Sequence, residues 1–270
     1  MTASGMMDCL PVAHRLADAA RPIALHYFRS SRLGTDNKAG EDGGFDPVTL
    51  ADRAIERAMR DILATERPDD GILGEEYDDV PSRSGVTWVL DPIDGTRAFL
   101  CGLPSWGVLI AANDGERPVI GIMDQPFIGE RFTGILLPEV RSAVLDDATG
   151  RTDLAVRNTD TLSEALMCST APDMFKGAEA HAFASLSDKV RLTRFGTDCY
   201  AYTLLAMGQI DLVVESSLKP YDIQALMPLV QAAGGIVTDW QGGDCQQGGQ
   251  VIAAATPTLH EAAMSVLKGA

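Results

Sequence analysis

The spacing of apolar residues predicts two amphipathic helices at the start of the chain. Apolar residues recur every three or four positions over residues 6–29 and again over residues 50–63, which is the spacing of one helix face. Residues 30–44 are rich in Gly, Ser, Asn and Asp and predict a loop or a loose hairpin. Thr49 is the expected N-cap of the second helix, with Asp52 three residues later in the capping-box position. The pattern leaves open whether Asp52 only caps the helix or also has a functional role.

Short apolar runs bounded by turn residues predict the strands that follow. Residues 71–76 predict a short strand that ends in two glutamates, and residues 86–90 predict a buried strand. Three further runs are separated by turn residues, which indicates an antiparallel meander. These runs cover residues 106–112, 119–123 and 131–137.

Residues 138–164 are polar and predict an irregular connection between two parts of the chain. We therefore expect an N-terminal α+β domain over residues 1–145 and a C-terminal α/β domain over residues 146–270. In the second part helical and strand patterns alternate, which is typical of an α/β layer. The predicted strands are residues 165–169, 190–195, 211–215, 236–239 and 251–255, and the predicted helices are residues 173–186, 199–207, 222–233 and 260–267.

The sequence DPIDGT at residues 91–96 places two aspartates directly after a buried strand. Pro92 ends regular strand pairing and Gly95 permits a tight turn. Thr96 is the expected N-cap of a helix that begins near Arg97. Carboxylates beside the free N–H groups of a helix start suit divalent cations together with a phosphate. An ordinary Asp-rich turn is the alternative interpretation of these residues.

The charge of the chain restricts its partners. Its 270 residues carry 38 acids and 22 bases, for a net charge of −16. So acidic a surface argues against a nucleic acid or an anionic membrane as partner. An anionic substrate would also be repelled unless cations bridge it to the carboxylates, so the acidity favours a metal-dependent site.

Other sequence features indicate the compartment. The five cysteines form no C-x-x-C pair, so neither a disulfide framework nor a zinc site is expected. No secretory signal pattern and no apolar run of membrane-spanning length is visible. We therefore expect a cytoplasmic protein. Glycine-rich nucleotide loops, a G-x-S-x-G elbow and clustered histidines are also absent from the sequence.

Four acids lie at the ends of predicted strands or at helix starts, and we expect them to converge at one cleft. Mg²⁺ requires several oxygen ligands, which no single segment here supplies. Two metal ions roughly 3.5–4 Å apart could then hold the attacking water and the leaving oxygen of a phosphate ester. Glu75 or Thr96 could orient the water, and the N–H groups of Gly95 and Thr96 could bind phosphate oxygens. The four acids are Glu75, Asp91, Asp94 and Asp222.

Several motifs together resemble the inositol monophosphatase family of Mg²⁺-dependent, lithium-sensitive phosphatases. They occur in the family's order between about residue 40 and residue 240. The resemblance implies a layered αβαβα sandwich of the inositol monophosphatase and fructose-1,6-bisphosphatase type, a small phosphate-ester substrate and usually a homodimer. The motifs are Asp-Pro-Val-Thr at 46–49, Gly-Glu-Glu at 74–76, DPIDGT at 91–96, Tyr-Asp at 221–222 and Ala-Ala-Gly-Gly at 232–235.

The resemblance also implies roles for individual residues. Glu75 and Thr96 would activate the attacking water, with Asp52 behind them in a supporting hydrogen bond. About two to three Mg²⁺ ions would be bound per site. The implied metal ligands are Glu75, Asp91, the carbonyl of Ile93, Asp94 and Asp222. The implied substrate-binding residues are Asp94, Gly95, Thr96, Gly196, Thr197, Asp198, Glu215 and Asp222.

The substrate is a finer question. Residues 123–131, 196–202 and 218–222 resemble the histidinol-phosphate phosphatase branch, which implies hydrolysis of L-histidinol phosphate in histidine biosynthesis. Asp198 stands where inositol-cleaving members have a small residue. L-Histidinol carries an amine and an imidazole that can be cationic near neutral pH, which Asp198 and Glu215 would suit. The alternatives are inositol or another sugar phosphate, a nucleotide 3′-phosphate, and a catalytically idle family member with a binding or regulatory role.

Overall fold

Stacked layers of helix and sheet form the part of the chain that the computed structural model describes, residues 3–30, 35–37 and 47–269. Two helices cover one face of a seven-stranded sheet, and further helices separate its other face from a five-stranded sheet. Two more helices close the outer face of the smaller sheet. This α-β-α-β-α order is the layered sandwich expected from the sequence. Within the described residues, no helix is both long and apolar enough to cross a membrane.

The larger sheet follows the order of the chain. Its first two strands are parallel and every later neighbour is antiparallel, so the predicted meander is confirmed. A separate pair, β1 (Thr35–Asn37) and β2 (Pro47–Thr49), is antiparallel. Most of residues 30–44, and Asp46 of the expected motif, lie outside the described residues. The strands of the larger sheet are β3 (Gly71–Gly74), β4 (Thr87–Asp94), β5 (Gly107–Asn113), β6 (Pro118–Gln125), β7 (Glu130–Leu137), β8 (Val140–Asp147) and β9 (Gly150–Asp153).

The first helical layer begins as the sequence predicts. Thr49 is the N-cap of the second long helix, and Oδ2 of Asp52 accepts a hydrogen bond from the Thr49 amide at 2.8 Å. The two long helices pack on each other and on the larger sheet through their buried apolar faces. The helices of this half are α1 (Ala3–Met7), α2 (Cys9–Tyr27), α3 (Leu50–Glu66) and α4 (Thr96–Cys101).

The second half of the chain confirms the predicted alternation. In the smaller sheet three strands are parallel and two antiparallel strands complete the edge. Its strands are β10 (Leu166–Ser169), β11 (Leu192–Phe195), β12 (Leu212–Leu218), β13 (Ile236–Thr238) and β14 (Gly249–Ala254). Its helices are α5 (Ala178–Ser187), α6 (Tyr200–Ala206), α7 (Pro220–Ile223), α8 (Leu226–Ala232) and α9 (Pro257–Gly269).

The segment of residues 138–164 differs from the prediction. It is not irregular throughout, because β8 and β9 extend the larger sheet to Asp153. Strand β9 reads as polar because it lies at the sheet edge and is exposed along its whole length. Strand β8 pairs with a neighbour on each side, but within it only Ala143, Val144 and Leu145 are buried. The boundary expected between residues 145 and 146 therefore falls inside β8.

Helix α8 lies directly on the larger sheet at two glycines. Gly121 of β6 and Gly134 of β7 are cross-strand partners. A Cβ added to Gly134 would lie 2.3 Å from the Leu229 Cα, and one added to Gly121 would lie 1.9 Å from the Ala225 carbonyl oxygen. Only glycine permits so close an approach of helix backbone to sheet. This contact fixes α8 over the sheet, together with α7, which comes just before it.

We expect Gly134→Ala to destabilise the fold, because α8 must then move away from β7. The free energy of unfolding measured with urea should fall by about 3 kcal/mol, the upper end of the usual cost of overpacking. Gly129→Ala is the control. Its Cβ would meet nothing within 4 Å, so only its left-handed backbone, with φ of 89°, adds a cost of about 1–2 kcal/mol. Equal losses in the two variants would contradict the close helix–sheet contact.

Candidate active site

Strand β4 ends in an irregular turn that brings two aspartates to the same side. In a regular strand, residues three positions apart point to opposite faces. Here the pairing with β5 shifts register between Asp91 and Asp94, and Pro92 within this interval has no backbone donor. The Ile93 amide donates to Oδ1 of Asp91 at 3.0 Å. Carboxylate oxygens of Asp91 and Asp94 consequently lie within 4.8 Å of each other.

The turn passes into α4 one residue earlier than predicted. Gly95, with φ of 83°, occupies the N-cap position, and Thr96 is the first residue of the helix. The predicted N-cap role of Thr96 is therefore wrong, because the left-handed glycine already turns the chain into the helix. The Thr96 hydroxyl donates instead to the carbonyl oxygen of Ile93 at 3.1 Å. This bond fixes the direction of the carbonyl that the family resemblance makes a metal ligand.

Two further acids meet beside this turn. One ligand oxygen from each of Asp91, Asp94 and Asp222 lies within 4.8 Å of the others. Glu75 follows β3 and is close enough to hydrogen-bond with Asp91. Since β3 and β4 are parallel neighbours, their carboxyl ends share one edge of the sheet. The structure thus brings together the four acids that the sequence singled out.

Asp222 reaches the group from the second half of the chain. It lies in the first turn of α7, where its Oδ2 accepts a hydrogen bond from the Lys219 amide at 2.7 Å. Helix α7 packs against β4, which carries Asp91 and Asp94. The site is therefore built from the edge of the larger sheet and from the central helical layer that packs on this sheet.

Asp52 stands behind Glu75. A carboxylate oxygen of Asp52 lies within 4.8 Å of oxygens of Glu75 and Glu76. Asp52 is buried, and it also accepts hydrogen bonds from the amide and the hydroxyl of Thr49. The capping interpretation of Asp52 is confirmed, and the same side chain adjoins the group of acids.

Burial and crowding raise the pKa values of these carboxyl groups. The pKa of Asp91 lies well above its usual range, mainly because of burial and then because of the nearby charge of Glu75. Burial, followed by the charge of Asp222, raises the pKa of Asp94 in the same way. Burial raises the pKa of Asp222 to about 7. Burial and mutual repulsion both disfavour the ionised forms of these groups, a bound cation would offset both effects, and a set of carboxylate and carbonyl oxygens suits Mg²⁺.

An open cavity of about 490 Å³ adjoins the acids. Six of the predicted substrate-binding residues line it, and two do not. The Gly196 amide donates to the Thr170 carbonyl at 2.9 Å, and the Thr197 hydroxyl donates to the Ser169 carbonyl at 3.5 Å. Gly196 and Thr197 therefore hold the neighbouring backbone and lie outside the cavity lining. The six that line it are Asp94, Gly95, Thr96, Asp198, Glu215 and Asp222.

Asp198 and Glu215 add two further acids to the lining of the cavity. Asp198 has a left-handed backbone with φ of 44° and accepts a hydrogen bond from Ser105 Oγ at 3.2 Å. Burial raises its pKa to about 6. Glu215 is 2% exposed and accepts hydrogen bonds from the Tyr202 hydroxyl at 2.9 Å and the Thr170 amide at 3.1 Å. Burial raises the pKa of Glu215 as well.

Some lining residues were not predicted from the sequence. The predicted helix over residues 173–186 is in fact a 3₁₀ turn, Pro172–Met174, followed by α5, because Gly177 adopts φ of 57° and interrupts it. This turn and the residues beside it face the cavity, and no motif marks them. The unpredicted polar or charged lining residues include Arg97, Thr170, Asp173, Lys176, Tyr202, Ser216 and Ser217.

Comparisons with known proteins agree on one family. The sequence profile described as "Inositol monophosphatase family" matches residues 6–269. The chain is 39% identical over 233 residues to "Bifunctional phosphatase IMPL2, chloroplastic" of Arabidopsis thaliana, which covers 86% of this chain but only 64% of the plant protein. It is 32% identical over 261 residues to a histidinol-phosphatase of Mycobacterium tuberculosis, covering 96% of this chain and 98% of that protein.

A solved structure gives the same result. The structure of an inositol monophosphatase from Zymomonas mobilis matches with a TM-score of 0.84 and 40% identity, covering 99% of this chain and 100% of the other. The fold, the acidic site and the sequence profile coincide. The chain belongs to the inositol monophosphatase family of metal-dependent phosphatases.

Proposed function

We propose that this protein is a Mg²⁺-dependent phosphatase that hydrolyses L-histidinol phosphate to L-histidinol and phosphate by direct attack of water. The main support for this reaction is that four acids from separate segments lie close together at one edge of the larger sheet. A phosphate monoester is an anion, so only bridging cations make such an acidic cleft a suitable place for it. These acids are Glu75, Asp91, Asp94 and Asp222.

Each residue then has a defined task. Mg²⁺ bound by the four carboxylates and the Ile93 carbonyl would supply the positive charge that offsets the charge of the phosphate. The backbone N–H groups of Gly95 and Thr96 bind phosphate oxygens. Glu75 accepts a proton from the attacking water, and the Thr96 hydroxyl helps to orient that water. Asp52 lies behind Glu75, where the family resemblance implies a supporting hydrogen bond. Because water attacks phosphorus directly, no residue forms a covalent intermediate.

The charge of the cavity wall supports the substrate. Glu215 is a buried acid and Asp198 a half-buried one, and L-histidinol offers an amine and an imidazole, either of which can be cationic near neutral pH. The similarity to the mycobacterial histidinol-phosphatase points the same way.

Two alternatives to this function are a different phosphate substrate and the absence of catalysis. Inositol 1-phosphate or another sugar phosphate is favoured by the 40% identity to the Zymomonas inositol monophosphatase, since carboxylates also bind sugar hydroxyls. A catalytically idle member with a binding role is disfavoured, because every acid that the family motifs require is present in this chain. Mg²⁺-dependent phosphate release from a small substrate panel distinguishes an idle protein from an enzyme.

We expect Asp94→Asn to abolish turnover and leave the fold intact. An asparagine oxygen can still accept the Cys199 amide, which lies 2.8 Å from Oδ2 of Asp94, but it lacks the charge that attracts a metal ion. Phosphate release at saturating Mg²⁺ should fall by at least about 10³-fold, while the far-UV circular dichroism spectrum is unchanged. Asp188→Asn, at the end of α5 and outside the cavity lining, should keep the wild-type rate. Near-normal turnover by Asp94→Asn would exclude its assigned role.

The substrate assignment predicts a preference that depends on one charge. The kcat/KM for L-histidinol phosphate should exceed the values for inositol 1-phosphate and adenosine 3′,5′-bisphosphate by at least about tenfold. Asp198→Asn keeps the acceptor for Ser105 and tolerates the left-handed backbone, but removes the charge. It should lower the value for L-histidinol phosphate about tenfold and that for inositol 1-phosphate less than about twofold. A smaller preference, or equal losses in the variant, would remove this substrate but not the reaction class.

A further inference from the structure

Charged residues of α3 face the loop of residues 75–79, which carries Glu75. Asp52, Glu56 and Arg60 lie four residues apart, so they form one stripe along the helix. The Glu56 side chain is fully buried and that of Arg60 is 17% exposed, and Arg60 Nε lies 2.8 Å from Glu56 Oε1. A fully buried carboxylate has to be matched by donors, and this ion pair supplies one of them.

The ion pair binds the backbone of the loop at three points. Oε2 of Glu56 accepts a hydrogen bond from the Glu76 amide at 2.8 Å. Arg60 donates through Nη2 to the Tyr77 carbonyl at 3.1 Å and through Nη1 to the Asp78 carbonyl at 3.0 Å. Both charged groups therefore form hydrogen bonds with main-chain atoms of the residues directly after Glu75.

The packing around the pair is specific to this arrangement. A Cβ added to Gly74 would lie 2.1 Å from Glu56 Oε1 and 2.7 Å from Arg60 Nη2. Only a glycine at the end of β3 therefore leaves room for the ion pair. The Tyr77 hydroxyl donates to the Arg53 carbonyl at 3.1 Å, which adds a side-chain anchor to α3. The helix thus holds the loop through both its backbone and its side chain.

We infer that Glu56 and Arg60 are positioning residues that hold Glu75 where it can bind Mg²⁺, an inference that rests on the proposed function. Hydrogen bonds to charged groups are about twice as strong as neutral ones, so the pair orders the loop before any metal arrives. Without it, metal binding would have to order the loop, and the affinity would fall. Removal of the outer partners of metal ligands typically lowers metal affinity by about 10- to 100-fold.

Calorimetric titration with Mg²⁺ alone tests this inference. We expect the Mg²⁺ affinity of Arg60→Met to fall by about 10- to 100-fold. Arg60→Lys keeps the charge but loses the planar guanidinium, and Glu56→Gln keeps only one acceptor oxygen. The Mg²⁺ affinity of each of these variants should therefore fall by at least about threefold. At saturating Mg²⁺, kcat should stay within about threefold of wild type in all three, because the acids themselves are intact.

Glu66→Gln is the matched control. Glu66 lies on the same helix and pairs with Arg15 at the protein surface, away from the loop. It should leave the Mg²⁺ affinity unchanged. Hydrogen–deuterium exchange of residues 75–79 should be faster in Arg60→Met than in Glu66→Gln. A general loss of stability would speed exchange throughout the chain and not in this loop alone.

Unchanged Mg²⁺ affinity in folded Arg60→Met would overturn the inference, even if its unfolding temperature falls. Should that variant not fold, unchanged affinity in Glu56→Gln and Arg60→Lys would overturn it equally. Phosphate release by the wild type is measured on the same preparation. Mg²⁺ binding without phosphate release from any substrate of the panel would overturn the proposed function alone, and the affinity shifts would still decide on the positioning role. No Mg²⁺ binding by the wild type would overturn both.

Discussion

Repulsion between crowded carboxylates, one of them buried and the others half-buried, is the constraint on which the rest of the site depends. Asp91, Asp94 and Asp222 have pKa values raised by burial and by nearby negative charge. Crowding like charges in a cleft costs folding free energy unless a cation offsets it. The fold must therefore hold side chains from separate segments close together against their own repulsion, and divalent metal ions are the natural counter-charge for such a set of oxygens.

The surrounding architecture supplies that restraint in several ways. The parallel neighbours β3 and β4 end at one edge, which brings Glu75 to Asp91. The first turns of two helices use the same device, since Asp52 and Asp222 each accept the backbone N–H of the residue three positions earlier. The close contact of α8 with the glycines of the larger sheet fixes the segment that carries Asp222. The positions of the acids are thus set mainly by the backbone of the strands and helices that carry them.

Much of this could be predicted from the sequence, because the signals are local. A capping residue, an apolar run or an Asp-Pro turn consists of residues that are neighbours in the sequence. The helix after Thr49 and the acids at strand ends could therefore be predicted. Contacts between distant segments have no such signal, which is why the bonds from Arg60 to the loop and from Tyr202 to Glu215 were missed. Within residues 138–164, β9 was missed because its exposed residues lack an apolar pattern, and β8 was missed because its buried apolar run is only three residues long. Thr96 was misplaced by one residue because Gly95 turns the chain first.

The most direct test of the central claim is anomalous X-ray diffraction from crystals of the wild-type protein soaked in Mn²⁺, which prefers the same oxygen ligands as Mg²⁺. We expect at least one anomalous peak within about 2.5 Å of carboxylate oxygens from two or more of Glu75, Asp91, Asp94 and Asp222. No peak in the cleft at saturating Mn²⁺, with the four side chains still together, would contradict the central claim.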